Sequence, residues 1–312
     1  MTRLVDSPSI RQVSSPLTRE MLRPLKPECR FVQFDSLLSN REFKRLAALL
    51  RRYPEVTLRA YGSYDGSITD LDFLQHFPTV RSFQADVYNL ESIDGLNFLP
   101  PELESLSLGQ TKHQFSLQPL ARFTSLDRLH LERHSKDLPV VAGLTEVTEL
   151  SLRSITLTDL SLFRPLTKLE TLAVKLGGTK SLDGISAFLN LQYLELWMIR
   201  GFTGLDPITE VPSLQNLFLQ ALKNVRTLPD LSRMTQLTKI HLETMKGLTD
   251  LRPLLTAPAL EELWLVDMPH LHPEDVAVLA AHPTLTRARV GLGSARKNDE
   301  AMARLGLSVA QR

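Results

Sequence analysis

The chain has 312 residues, 43% of them hydrophobic and 23% charged, which excludes a disordered or collagen-like polymer. Thirty-six basic side chains against 35 acidic ones leave a formal net charge of +1, too balanced for a dedicated nucleic-acid binder. Cys29 is the single cysteine, so an intramolecular disulfide and a thiolate metal cluster are both excluded.

Residues 1–28 carry several Pro and Ser and little periodicity, which predicts a flexible or loosely packed N-terminal arm. Residues 29–54 read as an N-terminal cap. CRFVQF is a strand, and SNREFKRLAALLRRYP is an amphipathic helix with Ser39 and Glu42 at capping-box spacing and an apolar stripe of Phe43, Leu46, Leu49 and Leu50. From residue 55 to 292 the chain repeats. ELESLSLG, SLDRLHLE, EVTELSLR, KLETLAVK, LQYLELWM, SLQNLFLQ, QLTKIHLE and ALEELWLV share an L-x-x-L-x-L template. Its first apolar position falls at Val80, Leu103, Leu126, Val147, Leu169, Leu191, Leu214, Leu237, Leu260 and Leu285, at intervals of 21–25 residues. All thirty template positions in these ten copies are apolar, where composition alone would give about thirteen. VTLRAYG, around residues 56–62, is a weaker eleventh copy. Residues 293–312 end in ARKNDEAMARLGL, a closing helix with Gly306 just past its end.

The L-x-L alternation has period two, so each template is a short strand with its leucines inward and its intervening residues outward. One such strand cannot bury its leucines alone; stacked copies make a parallel sheet over a shared core. LTDLSLFRPLT, SLDGISAFLN and LTDLRPLLTAP place Asp, Ser or Pro at a turn start, with Leu, Ile or Phe at spacings of three and four. They predict short helical or 3-10 returns on the other side.

On these phased copies the chain resembles the leucine-rich-repeat family over roughly residues 55–292. The resemblance implies an α/β solenoid, a horseshoe with a parallel concave sheet, short helical or 3-10 turns on the convex side and helical caps at both ends. One column departs from the family. Where many such repeats carry Asn, three residues after the last template position, this chain has Tyr88, Thr111, His134, Ile155, Gly177, Ile199, Leu222, Met245, Met268 and Gly293.

No G-x-S-x-G, phosphate loop, H-E-x-x-H or CxxC motif occurs, so a non-enzymatic protein without cofactor or bound metal is expected. The outward columns carry the functional signal. Tyr193, Trp197, Phe218, His241 and Trp264 come from consecutive repeats and should lie together, since parallel strands are about 4.8 Å apart. Arg128, His130, Glu132, Arg153, Lys175, Glu195, Lys239 and Glu243 would form the polar surround. Aromatic clusters ringed by charge are what binding hot spots look like, so a protein partner on the concave face is expected. No nucleic acid, membrane or small-molecule substrate is expected.

The resemblance extends to stand-alone bacterial interaction proteins of the toxin-neutralising immunity or adaptor type. The other reading is a metal- or small-ligand-dependent enzyme or sensor centred on His130, Glu132 and Arg153; His270 and His272 raise a similar thought but are explained by a turn entering a helix. Residues 1–60 hold 12 basic and 6 acidic side chains, against 24 and 29 in the remainder. A solvated Arg/Lys face on the cap helix accounts for that excess, because no aromatic interleaves with Arg51 and Arg52. No window approaches eighteen uninterrupted apolar residues, and the first thirty residues are charged throughout, so a cytoplasmic location is expected.

Overall fold

The structure, a computed structural model, describes residues 8–310. It contains two compact units, Met1–Val147 and Thr148–Arg312, so the array read as one block over 55–292 is shared between them. In the first unit the strands β1 (Ile10–Gln12), β2 (Phe31–Phe34), β3 (Thr57–Tyr61), β4 (Ser82–Asp86), β5 (Ser105–Leu108) and β6 (Arg128–Glu132) pair in chain order, all parallel. In the second unit β7 (Glu149–Arg153), β8 (Thr171–Lys175), β9 (Tyr193–Trp197), β10 (Asn216–Gln220), β11 (Lys239–Glu243), β12 (Glu262–Val266), β13 (Arg287–Val290) and β14 (Ser308–Val309) do the same.

The flexible arm expected over 1–28 is corrected from residue 8 onward; residues 1–7 lie outside the described part. Ile10, Arg11 and Gln12 pair with Phe31, Val32 and Gln33, and Val13, Leu17 and Leu25 are buried. Glu42 anchors the segment by accepting from the Leu17 N–H at 2.6 Å. That bond, with those from the Ser39 hydroxyl and N–H, lowers the Glu42 carboxyl to about pKa 2. The same Glu42 closes the capping box of helix α1 (Asn40–Leu50), whose buried residues are Phe43, Leu46, Leu49 and Leu50. Phe34, Phe43, Phe73, Phe77 and Phe83 pack ring on ring beneath it, with centroids 5.1–6.3 Å apart.

Every template residue is buried, so the period of two in the sequence is the period of the inward face. Most returns are 3-10 helices, among them Asp72–His76, Asp94–Phe98, Gln118–Arg122, Asp206–Glu210 and Arg252–Thr256, whereas the connection from β10 to β11 is made of turns alone. An Asp or Ser side chain opens seven of the turns by accepting from the N–H two residues on: Asp70, Ser92, Ser116, Asp159, Ser181, Asp230 and Asp250 bind Asp72, Asp94, Gln118, Ser161, Asp183, Ser232 and Arg252. The second unit closes with α2 (Pro273–Ala277) and α3 (Ala295–Leu305), the latter capped by Ser294 and ended by Gly306 at φ 64°. Residues 311–312 of the expected C-terminal cap lie outside the described part.

A backbone device replaces the missing asparagines. Two residues beyond the third template position the chain turns left-handed, at Gly62, Arg133, Ser154, Leu176, Met198, Ala221, Thr244 and Asp267. The N–H of Gly62, Ser154, Leu176, Met198, Ala221 and Thr244 donates at 2.7–2.9 Å to the carbonyl of Asp86, Lys175, Trp197, Gln220, Glu243 and Val266 in the next repeat. The residue that follows then turns inward, and Ile155, Ile199, Leu222, Met245 and Met268 fill that slot with apolar bulk. His134 fills it in the first unit, buried, with Nε2–H donating to the Gly109 carbonyl at 3.0 Å. Gly177 is forced: at φ 74° its added Cβ would sit 2.3 Å from the Ile155 carbonyl oxygen.

Candidate functional site on the outward face of the sheet

The pairing register arranges the outward residues of the second unit in three rows across the strands. The middle row runs Ser151, Ala173, Glu195, Phe218, His241, Trp264, Arg289. On the C-terminal side of the strands lie Arg153, Lys175, Trp197, Gln220, Glu243 and Val266; on the other side lie Glu149, Thr171, Tyr193, Asn216, Lys239, Glu262 and Arg287.

Three of the five expected aromatics form a continuous strip in the middle row. Phe218 meets His241 edge-on, with centroids 4.5 Å apart, and His241 meets Trp264 at 5.2 Å. Two cations hold Trp264: Lys239 Nζ lies 4.5 Å and Arg289 Cζ 5.4 Å from the ring centroid. Its indole N–H donates to Glu262 at 2.8 Å, and Glu262 also takes Lys239 at 2.7 Å and Arg287 at 3.1 Å. Burial raises the Glu262 carboxyl, but the bonds and charges of Lys239, Trp264 and Arg287 outweigh it and hold Glu262 below its ordinary value. Tyr193 and Trp197 flank the strip in the other two rows. Arg153 Cζ lies 4.9 Å from the Trp197 centroid, while Lys175 pairs with Glu195 at 2.8 Å. Burial, and next the Glu195 charge, push the Tyr193 hydroxyl up to about 12.

All five aromatic side chains are half-buried rather than freely exposed, because neighbouring rings and the stems of Lys and Arg cover part of each. Arg289, which sequence reasoning missed, completes the site; its signal was its place in the row next to Trp264. His241 is neutral. Burial, then Lys239 and Arg289, depress its pKa to about 4. Glu243 Oε2 lies 3.2 Å from His241 Nε2 but without hydrogen-bond geometry, and burial followed by the Asp267 charge raises the Glu243 carboxyl, so it does not favour the imidazolium. Gln220 instead donates to Glu243 at 2.8 Å.

Arg128, His130 and Glu132 lie on β6 of the first unit, where Arg128 pairs with Asp127 at 3.2 Å. Arg153, grouped with His130 and Glu132 in the ligand-site reading, belongs to β7 of the second unit and lies over Trp197. Among the described residues no three His, Cys, Asp or Glu side chains converge as a metal site requires. His270 donates from Nε2 to the Leu248 carbonyl at 2.8 Å, and the His272 N–H is taken by Asp275 at the start of α2. Among the described residues no helix is long and apolar enough to cross a membrane.

Parallel strands in chain order, 3-10 returns and inward leucines at a 21–25-residue period define a leucine-rich-repeat fold. One solved structure shares this fold. An internalin, InlF, of Listeria monocytogenes matches 95% of this chain and 90% of its own length, with 17% identity and a TM-score of 0.60. Weaker likenesses are a leucine-rich-repeat protein of Leptospira interrogans (95% of this chain, 86% of its own, 15% identity, TM-score 0.46) and the Listeria internalin C2 (75%, 84%, 19% and 0.47). What is shared is the fold. The sequence matches no family model and no curated protein.

Proposed function

We propose that this chain is a non-enzymatic recognition module that holds a protein partner against the outward face of the second unit. The observation that carries this reading is the strip Phe218, His241, Trp264, set at the 4.5–5.2 Å of direct ring contact and overlaid by cations. Rigid aromatics lose little entropy on binding and supply most of the energy at interfaces, and here their orientations are fixed before a partner arrives. Trp197 under Arg153 and Tyr193 beside Glu195 extend the surface, and Lys175, Lys239 and Glu243 provide its polar rim. Arg128, His130 and Glu132 stand on the first unit's sheet as a separate contact set. Among roles for such a module, we favour cytoplasmic neutralisation of a toxin or service as an adaptor, in keeping with the family resemblance.

Affinity purification from the native cells, comparing wild type with the Trp197→Ala, Trp264→Ala double variant, supplies the partner; calorimetry with the purified partner then measures each single change. Each substitution should cost about 2 kcal/mol of binding without unfolding the chain. Wild-type affinity in both would remove the site from this face.

A further inference from the structure

The loops that follow β9, β10 and β11 hold a second, unassigned surface. Two residues beyond the left-handed position they carry Arg200, Lys223 and Lys246, one cation in each of three consecutive repeats. All three side chains are exposed, and among the described residues no carboxylate lies within ion-pair distance of any of them. Elsewhere in the second unit the same register position holds Thr156, Gly178, Pro269 and Ser294, so the column is confined to the repeats that carry Trp197, Phe218 and His241.

The loops are stacked in register. Arg200 N–H donates to the Gly177 carbonyl at 3.0 Å, and Gly247 runs so close to the Lys223 and Val225 carbonyls that an added Cβ would sit 2.8 Å from each oxygen. Beside the column stands Met198, 46% exposed and held left-handed at φ 50° next to Trp197. That conformation sets an exposed apolar side chain at the end of the strand that carries Trp197.

We infer that this column binds an acidic amphipathic helix of a protein partner, with carboxylates on Arg200, Lys223 and Lys246 and an apolar edge against Met198 and Trp197. The spacing favours a helix over an extended peptide. Consecutive repeats advance by about 4.8 Å, close to the roughly 5.4 Å of one helical turn, so Asp or Glu at every third or fourth position meets one cation per repeat. Alternate residues of an extended strand are spaced by about 6.6 Å and fall out of step within three repeats. The inference rests on the recognition reading; it shares Trp197 with the sheet-face site and adds contacts in the loops beyond the strand ends.

The test uses the full chain and a labelled synthetic helix with glutamates at every third or fourth position along one face and leucines beside them. Its controls are a peptide of the same composition with the glutamates scattered around the helix, a single-stranded oligonucleotide, and vesicles of anionic lipid. By fluorescence anisotropy the phased helix should bind at least tenfold more tightly than the scattered one. Binding should be lost in the Arg200→Glu, Lys223→Glu, Lys246→Glu variant, whose thermal melt should match wild type because all three side chains are exposed. Trp264→Ala should leave it unchanged, which separates this surface from the sheet-face site. Equal binding of the two peptides, stronger binding of oligonucleotide or vesicles, or full binding by the charge-reversed variant would overturn the inference.

Discussion

The two units share one backbone plan, yet their outward faces do opposite things. On the first unit, β1 to β4 carry a closed polar network. Arg59 bonds Asp86 through Nε at 2.7 Å and Gln33 at 3.1 Å, Gln84 donates to Asp86 at 2.7 Å, and Gln12 accepts from Gln33 at 3.0 Å and from Tyr61 at 2.9 Å. Its donors are already matched, so a partner docking there would have to replace bonds rather than add them. On the second unit the equivalent positions hold Phe218, His241 and Trp264, whose carbon surface stays partly exposed although Lys239 and Arg289 lie over Trp264 and Glu262 takes its indole N–H. The inward leucines decide the fold in both units; the outward columns decide which unit has surface left to offer.

The largest effect tests the common plan. Leu217 is 2% exposed on β10, directly beneath the aromatic strip, and Leu217→Asp would bury a carboxylate among the stacked leucines. We expect a loss of about 4 kcal/mol or more, seen as an early and broadened thermal transition by circular dichroism. Leu150→Asp and Leu172→Asp should behave alike, whereas polar changes at the outward Ser107 should be nearly silent.

The second test separates the two faces by pH. His241 titrates near 4 in the folded chain against about 6.5 unfolded, so the unfolded chain takes up its proton first. The stability this group contributes is complete above about pH 6.5 and falls as pH drops toward 4, with no further change from it below that. His241→Phe keeps the ring contacts and removes the titration, so the variant should lose less stability than wild type across that window in urea unfolding. An NMR titration midpoint near 6.5 for His241 would show that the strip does not desolvate it.

The first unit's network should respond more modestly. Arg59 and Asp86 are both under a third exposed, so Arg59→Ala should cost about 1–2 kcal/mol by stranding Asp86 and Gln33. Adding Asp86→Ala should cost less than the sum of the two single changes, because the second substitution removes a group already left without its partner. Additivity in that cycle would mean that the network is a set of independent contacts.

Much of this was legible in the sequence because it depends on side-chain pattern. The template phase placed the inward core, and the spacing of Phe43, Leu46, Leu49 and Leu50 placed the cap helix. The same phase put Phe218, His241 and Trp264 in one row. What stayed hidden depends on backbone or on neighbours. β1 is three residues long, and Val13, Leu17 and Leu25 follow no repeat, so its parallel pairing to β2 left no pattern to read. The partial covering of the aromatics by Lys239, Arg153 and Arg289 needs side-chain directions that register alone does not supply.

The left-handed column was the least legible feature, since Arg133, Ser154, Leu176, Met198, Ala221, Thr244 and Asp267 have no chemistry in common. What they share is a conformation, fixed in the central repeats by a backbone bond to the following repeat and indifferent to the side chain. That yields the smallest prediction. In Met198→Gly the left-handed penalty of about 1–2 kcal/mol disappears, while glycine's extra unfolded freedom takes back about 0.5–1 kcal/mol. A net gain of about 0.5–1 kcal/mol should raise the melting temperature by about 1–3 °C for a chain of this size. If Met198 is retained as an apolar contact, the same variant should bind the phased acidic helix more weakly while standing more stably alone. Ala221→Gly, with little side chain to lose, should gain stability with binding unchanged, so the pair separates strain kept for contact from strain that the repeat geometry imposes.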